Sequence, residues 1–136
     1  MSTNSTILLI GTNLGNKNNN LERAKELINK EIGEIIKFSN ILENEAEEFK
    51  STNTFFNQKI EVKTNLSPIK LLEKIKIIEY NMGRVYTKPK NGERYIDRLI
   101  DIDILNYNNI NFKSSTLLIP HNQIFSRDFI KLLRFN

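Results

Sequence analysis

Apolar positions along this chain fall into blocks whose spacing alternates between the periods of strand and helix. Thr6-Ile-Leu-Leu-Ile10 is a short continuous apolar run ending at Gly11, which predicts a buried strand. Leu21, Ala24, Leu27, Ile28 and Ile32 then recur at helical spacing, with Asn18, Asn19 or Asn20 as the cap and Gly33 as the stop. Ile35 to Leu42 predicts a second strand, Glu43 to Thr54 is polar and loop-like, and Phe55 to Val62 alternates as a third strand. Ser67-Pro68 offers a hydroxyl cap and a proline at the first helical position. Leu71, Leu72, Ile75, Ile78 and Met82 form the stripe of that second helix, and Gly83 stands where a C-cap glycine belongs. Arg84 to Tyr95, charged and carrying Pro89 and Gly92, predicts a long mobile loop. Arg98 to Leu105 sets Ile100, Ile102 and Ile104 in alternation with Asp101 and Asp103, a strand with one apolar and one acidic face. A short edge strand is expected at Asn109 to Phe112, and a terminal helix at Ser126 to Phe135.

The order strand–helix–strand–strand–helix–strand predicts an α+β domain of the ferredoxin-like plait type, with a mixed or antiparallel sheet and both helices on one face. No composition shift or repeat marks a boundary, so residues 1–136 are expected to form a single domain. Apolar residues still accumulate at Leu132 and Leu133, which points to a shortened C-terminus.

Composition narrows the function classes. A hydrophobic fraction of 39% and a charged fraction of 26% exclude a disordered or fibrous chain. The absence of cysteine removes disulfide and thiolate chemistry and fits a reducing cytosol. The opening Met-Ser-Thr-Asn-Ser-Thr lacks a basic segment followed by an apolar one, so no signal peptide is expected, and no apolar run reaches membrane-spanning length. The net charge of +4 suits an anionic partner. Its distribution does not resemble a nucleic-acid face: arginines gather near the acidic strand, while Glu43, Glu45, Glu47 and Glu48 make an acidic stretch upstream. A small phosphorylated ligand fits better.

The chemistry centres on Asp101 and Asp103. Side chains at i and i+2 share a strand face and rise about 6.6 Å apart. Two like charges on one face destabilise each other unless a cation or donors offset them. Hard divalent cations take such oxygen ligands, and Mg²⁺ shared with phosphate needs only one or two protein carboxylates. The plain alternative is a solvated polar face, although aspartate is a poor strand residue to repeat. Asp97 reads as a loop residue. Arg84, Arg94 and Arg98, with Lys88 and Lys90 between them, either clamp a polyphosphate or simply decorate a charged loop. His121, the one histidine, reads more readily as a packing residue than as a contact to base or phosphate. Phe55, Phe56 and Phe129 are core residues by default; the sharper reading has aromatic faces sandwiching a flat heterocycle whose edge Asn57 reads. Gly11-Thr-Asn-Leu-Gly15 lacks the signature of a P-loop or dinucleotide loop and reads as a tight strand-to-helix turn.

Taken together, these segments resemble the 6-hydroxymethyl-7,8-dihydropterin pyrophosphokinase family of folate biosynthesis. The resemblance rests on Leu9-Ile-Gly-Thr-Asn-Leu-Gly15, Phe55-Phe-Asn57, Ile78-Glu79 with Gly83-Arg84, Arg98-Leu-Ile-Asp-Ile-Asp-Ile-Leu105, Leu118-Ile-Pro-His121 and Arg127-Asp-Phe129. It implies a ferredoxin-like fold and an ATP- and Mg²⁺-dependent transferase that moves pyrophosphate to the pterin hydroxymethyl and releases AMP. It implies that Asp101 and Asp103 hold two Mg²⁺ ions and that Arg84 and Arg98 are catalytic phosphate clamps. Leu72, Glu79, Ile104, His121 and Arg127 would join those arginines at ATP, while Asn44, Phe55, Asn57, Asp101 and Phe129 would hold the pterin. Tyr86 and Thr116 stand where the family often carries basic residues, and the loop before the acidic strand is longer than usual. The implied protein is a monomeric cytoplasmic enzyme acting on ATP and the pterin, with no nucleic-acid or membrane partner. Two rivals are a lapsed relative that keeps nucleotide binding and a plait domain that binds single-stranded RNA on its sheet.

Overall fold

Thr6 to Ile10 carries apolar residues on both faces because the helices cover one side of its strand and a second cluster with Leu105 and Leu133 covers the other. The computed structural model describes residues 3–45, 54–84, 99–121 and 133–135. In it β1 (Asn4–Thr12), α1 (Lys17–Glu31), β2 (Gly33–Glu45), β3 (Thr54–Thr64), α2 (Pro68–Asn81) and β4 (Asp101–Tyr107) follow in the expected order. A small hairpin, β5 (Phe112–Lys113) and β6 (Leu118–Ile119), comes after them. The sheet order is β2-β3-β1-β4, and every neighbouring pair is antiparallel. Two βα units therefore interleave as split βαβ motifs, the ferredoxin-like arrangement the element order predicts.

Strand alternation sorts the core onto the two faces. Leu8, Ile10, Ile60, Val62, Ile102 and Ile104 meet Leu21, Ala24 and Ile28 of α1 and Leu71, Ile75 and Ile78 of α2. Ile7, Leu9, Leu42 and Leu105 face the other way and pack with Leu133. Among the described residues no helix is long and apolar enough to cross a membrane.

Several local expectations shift. The cap of α1 is Asn16, whose side chain accepts from the Asn19 amide at 3.0 Å, so Asn18 to Asn20 lie within the first turn. Glu43 to Glu45 extend β2 instead of opening a loop, because they stay paired with Thr54 to Phe56. The edge strand expected from Asn109 begins only at Phe112, since Asn108 and Asn109 adopt left-handed φ of 50° and 59° and turn the chain. The acidic strand begins at Asp101, after a bend at Leu99. Of the expected terminal helix only Leu133 to Phe135 are described, and they are not helical: Leu133 is buried and Phe135 bridges to Ser39. The loop from Val85 to Tyr95 and the remainder of that terminal segment lie outside the described residues.

Gly33 does more than end α1. A Cβ there would lie 1.9 Å from the Lys63 carbonyl oxygen, so β2 can enter the sheet against β3 only without a side chain. Gly33→Ala is expected to lower stability by about 2 kcal/mol through overpacking against backbone. Urea unfolding measures this; a midpoint equal to the parent's would mean that the two strands separate there at no cost.

Candidate active site

The end of α2 builds the first part of the site. Gly83 takes φ of 99°, and the Gly83 and Arg84 amides donate to the Tyr80 and Glu79 carbonyls at 2.9 and 3.0 Å. This is a Schellman turn, and it folds Arg84 back beside Glu79. The Arg84 Nη1 then donates to Glu79 Oε2 at 2.7 Å and to Asp101 Oδ1 at 2.8 Å. Glu79 is fully buried, and the same Oε2 accepts the Ile102 amide at 2.8 Å. Lys76 lies 3.7 Å from Oε1. A buried carboxylate is tolerated only with such partners, so Glu79 fastens the helix end to the acidic strand.

A second brace holds the chain just before that strand. Thr12 Oγ1 donates to the Leu99 carbonyl, and Asn20 Nδ2 donates to Leu14 O at 2.8 Å and Thr12 Oγ1 at 3.1 Å. The Gly11 to Gly15 turn, read from sequence as a plain connection, thus secures the approach to Asp101. The signal lay in Asn20, a polar residue directly before the first buried leucine of α1. For Glu79 the signal was periodicity: it falls four residues after Ile75, on the buried side of the helix.

Asp101 and Asp103 point to the sheet face opposite the helices, with side chains 20% and 33% exposed. Register sets Asp101 beside Gly11 and Gly11 beside Asn57, so this row crosses three strands. Phe55 is half-buried next to that row, and Asn57 is 6% exposed. His121 follows the cis Ile119–Pro120 bond; its amide donates to Leu105 O at 3.0 Å and its Nε2 lies 4.0 Å from Asp103 Oδ1. On the same face, burial under the Phe135 ring, 4.6 Å from Nζ, goes with a Lys59 ammonium whose pKa is pushed below the ordinary lysine value by desolvation.

The arrangement brings Arg84, Glu79, Asp101, Asp103 and His121 to one end of β4, with Asn57 and Phe55 two strands away. Leu72 is elsewhere, in a groove of about 750 Å³ with Ile69, Glu73, Lys76, Ile77 and Thr116. Ile104 packs in the core beneath the helices, so its side chain serves packing. Arg98, Arg127, Phe129 and Tyr86 lie outside the described residues, as does the Asn44 side chain; the Asn44 backbone pairs with Phe55. Among the described residues no three acidic, histidine or cysteine side chains gather as a metal cage. Two carboxylates on one face are instead an oxygen donor set suited to a hard cation that completes its shell with phosphate.

The family model of 7,8-dihydro-6-hydroxymethylpterin-pyrophosphokinase (HPPK) matches residues 7–134. The chain belongs to this family. It is 34% identical over 126 residues to the 2-amino-4-hydroxy-6-hydroxymethyldihydropteridine pyrophosphokinase of Porphyromonas gingivalis, covering 92% of this chain and 84% of that one. The folate synthesis bifunctional protein of Arabidopsis thaliana is 36% identical over 125 residues, a match spanning 91% of this chain and 25% of that protein. A crystal structure of Plasmodium falciparum HPPK-DHPS superposes with a TM-score of 0.77 at 21% identity, over 97% of this chain and 40% of that one. That last likeness establishes the fold. The HPPK resemblance read from the motifs is borne out, and with it a pyrophosphokinase activity in folate biosynthesis.

Glu79→Ala would leave the Arg84 guanidinium and the Ile102 amide without their shared acceptor. The expected loss is about 3 kcal/mol of stability, with faster hydrogen exchange at the Ile102 amide. Unchanged stability together with a protected Ile102 amide would refute the bracing role.

Proposed function

We propose that the chain transfers the terminal pyrophosphoryl group of ATP to the hydroxymethyl of 6-hydroxymethyl-7,8-dihydropterin. Atoms balance simply: the pterin oxygen bonds to the β-phosphorus, the bond from that phosphorus to the α-phosphate oxygen breaks, AMP leaves, and the hydroxyl proton passes to solvent. The observation that carries the reading is the placement of Asp101 and Asp103 on one sheet face, with Arg84 against the first of them.

Asp101 and Asp103 are the ligands we assign to two Mg²⁺ ions that enter with the nucleotide. Bound there, the ions would neutralise phosphate charge and acidify the attacking hydroxyl. Arg84, held at 2.7 Å by Glu79, keeps a fixed cation where phosphate oxygens gather charge. Arg98 is assigned the same role, and His121 and Arg127 contact the nucleotide. Leu72 offers apolar surface, with Ile69 and Ile77, to the nucleotide's flat base. Phe55 and Phe129 would stack on the pterin, while Asn57 and Asn44 read its polar edge.

Incubation with ATP, Mg²⁺ and the pterin alcohol should yield AMP and the pterin diphosphate; ADP as the product, or no product, contradicts the assignment. Asp101→Asn and Asp103→Asn should each lower turnover by roughly a thousandfold, the worth of several kcal/mol of transition-state stabilisation. Circular dichroism should show the fold intact, and an active double variant would dismiss the pair as ligands.

A further inference from the structure

The backbone at Gly11 does not require glycine; the space above it does. Gly11 lies in the extended strand β1, outside the left-handed region that Gly15 and Gly83 occupy. A Cβ built on it would fall 2.9 Å from Asn57 Oδ1 and 3.9 Å from both Asn57 Cγ and a Phe55 ring carbon. The Asn57 carboxamide oxygen therefore points at the space that a side chain on Gly11 would fill. On the other side Gly11 pairs with Asp101. At the usual strand separation the Asn57 and Asp101 backbones are about 10 Å apart. The floor between the amide and the first carboxylate is thus glycine backbone.

We infer that Gly11 is a positioning residue for substrate specificity: by lacking a Cβ it leaves room for the Asn57 carboxamide oxygen to lean toward β1, in the orientation that reads the heterocycle's polar edge. This deepens the pterin reading above and rests on it. Gly33 supplies the contrast. There the obstructing atom is a backbone carbonyl at 1.9 Å, so an added methyl threatens the fold. At Gly11 the obstructing atom is the tip of a side chain, which can rotate away. A methyl at Gly11 should therefore disturb recognition while leaving the sheet assembled.

The test is a double-mutant cycle on the full chain, with Gly11→Ala, Asn57→Ala and the combination. Binding of the pterin alcohol and of a non-hydrolysable ATP analogue with Mg²⁺ is measured separately by calorimetry. Gly11→Ala should melt near the parent, bind the nucleotide unchanged, and bind the pterin roughly tenfold or more weakly, the scale of one buried hydrogen bond left badly aligned. In the Asn57→Ala background the same substitution should cost the pterin no more than a factor of about two, the ordinary scatter of independent sites. The double variant has no carboxamide to displace, so it should fold even if the single one does not. Equal weakening in both backgrounds, or pterin affinity unchanged in an active Gly11→Ala protein, overturns the inference and leaves the pterin reading standing. A parent that binds nucleotide but no pterin overturns both.

Discussion

One carboxylate oxygen, Oε2 of Glu79, joins the end of α2 to the start of β4. It accepts from the Arg84 guanidinium and from the Ile102 amide, and the residue is wholly removed from solvent. Leaving an anion there unpartnered would cost several kcal/mol, so the three groups hold or fail together. The Schellman turn at Gly83 is what makes the geometry available, because it returns Arg84 to the side of Glu79 by two backbone hydrogen bonds. Helix termination, a buried ion pair and the placement of Asp101 are one structural event.

The rest of the site follows from parity. Ile102 and Ile104 must face the helices, so Asp101 and Asp103 must face away. Leu105 keeps that parity and packs on the acidic side with Leu9 and Leu133, and the register shift between Ile7 and Leu8 then returns Tyr107 to the helix side. The carboxylates therefore sit at the border between an apolar patch and the row Asp101–Gly11–Asn57. Under the proposed function, such a border would give a flat heterocycle backbone to lie on, with its polar edge toward an amide.

Features set by period and by chain-reversing residues were legible in the sequence. The alternation Ile100-Asp101-Ile102-Asp103-Ile104 announced both the strand and its two faces, and Ser67-Pro68 with Gly83 bounded α2 to the residue. Long-range registers were not legible. Nothing local tells that Gly11 pairs with Asn57 and Asp101 at once, or that Asn20 reaches back to Leu14 and Thr12. Caps among several asparagines were ambiguous for the same reason: Asn16 and Asn18 to Asn20 have equal capping chemistry, and only the fold selects between them. Strand β2 ran past its expected end because pairing with Thr54 to Phe56 outweighed the weak strand propensity of Glu43 to Glu45. Arg98, Arg127 and Phe129 lie outside the described residues, so their assignment rests on motif alone.

Charge at the site also decides between a nucleotide with its cations and a bare phosphate chain. Near the end of β4 the described groups are the carboxylates of Glu79, Asp101 and Asp103, set against the side chains of Arg84 and Lys76. His121, at 4.0 Å from Asp103, adds charge only when protonated. Among these described groups the balance is anionic at neutral pH although the whole chain is basic. A naked phosphate backbone would meet repulsion from Asp101 and Asp103, which weighs against the RNA-binding alternative. A polyphosphate accompanied by divalent cations reverses that sign, because the cations supply the positive charge that both the carboxylates and the phosphates require. In the proposed function the guanidinium of Arg84, anchored from behind by Glu79, would add to that neutralisation from the protein's side.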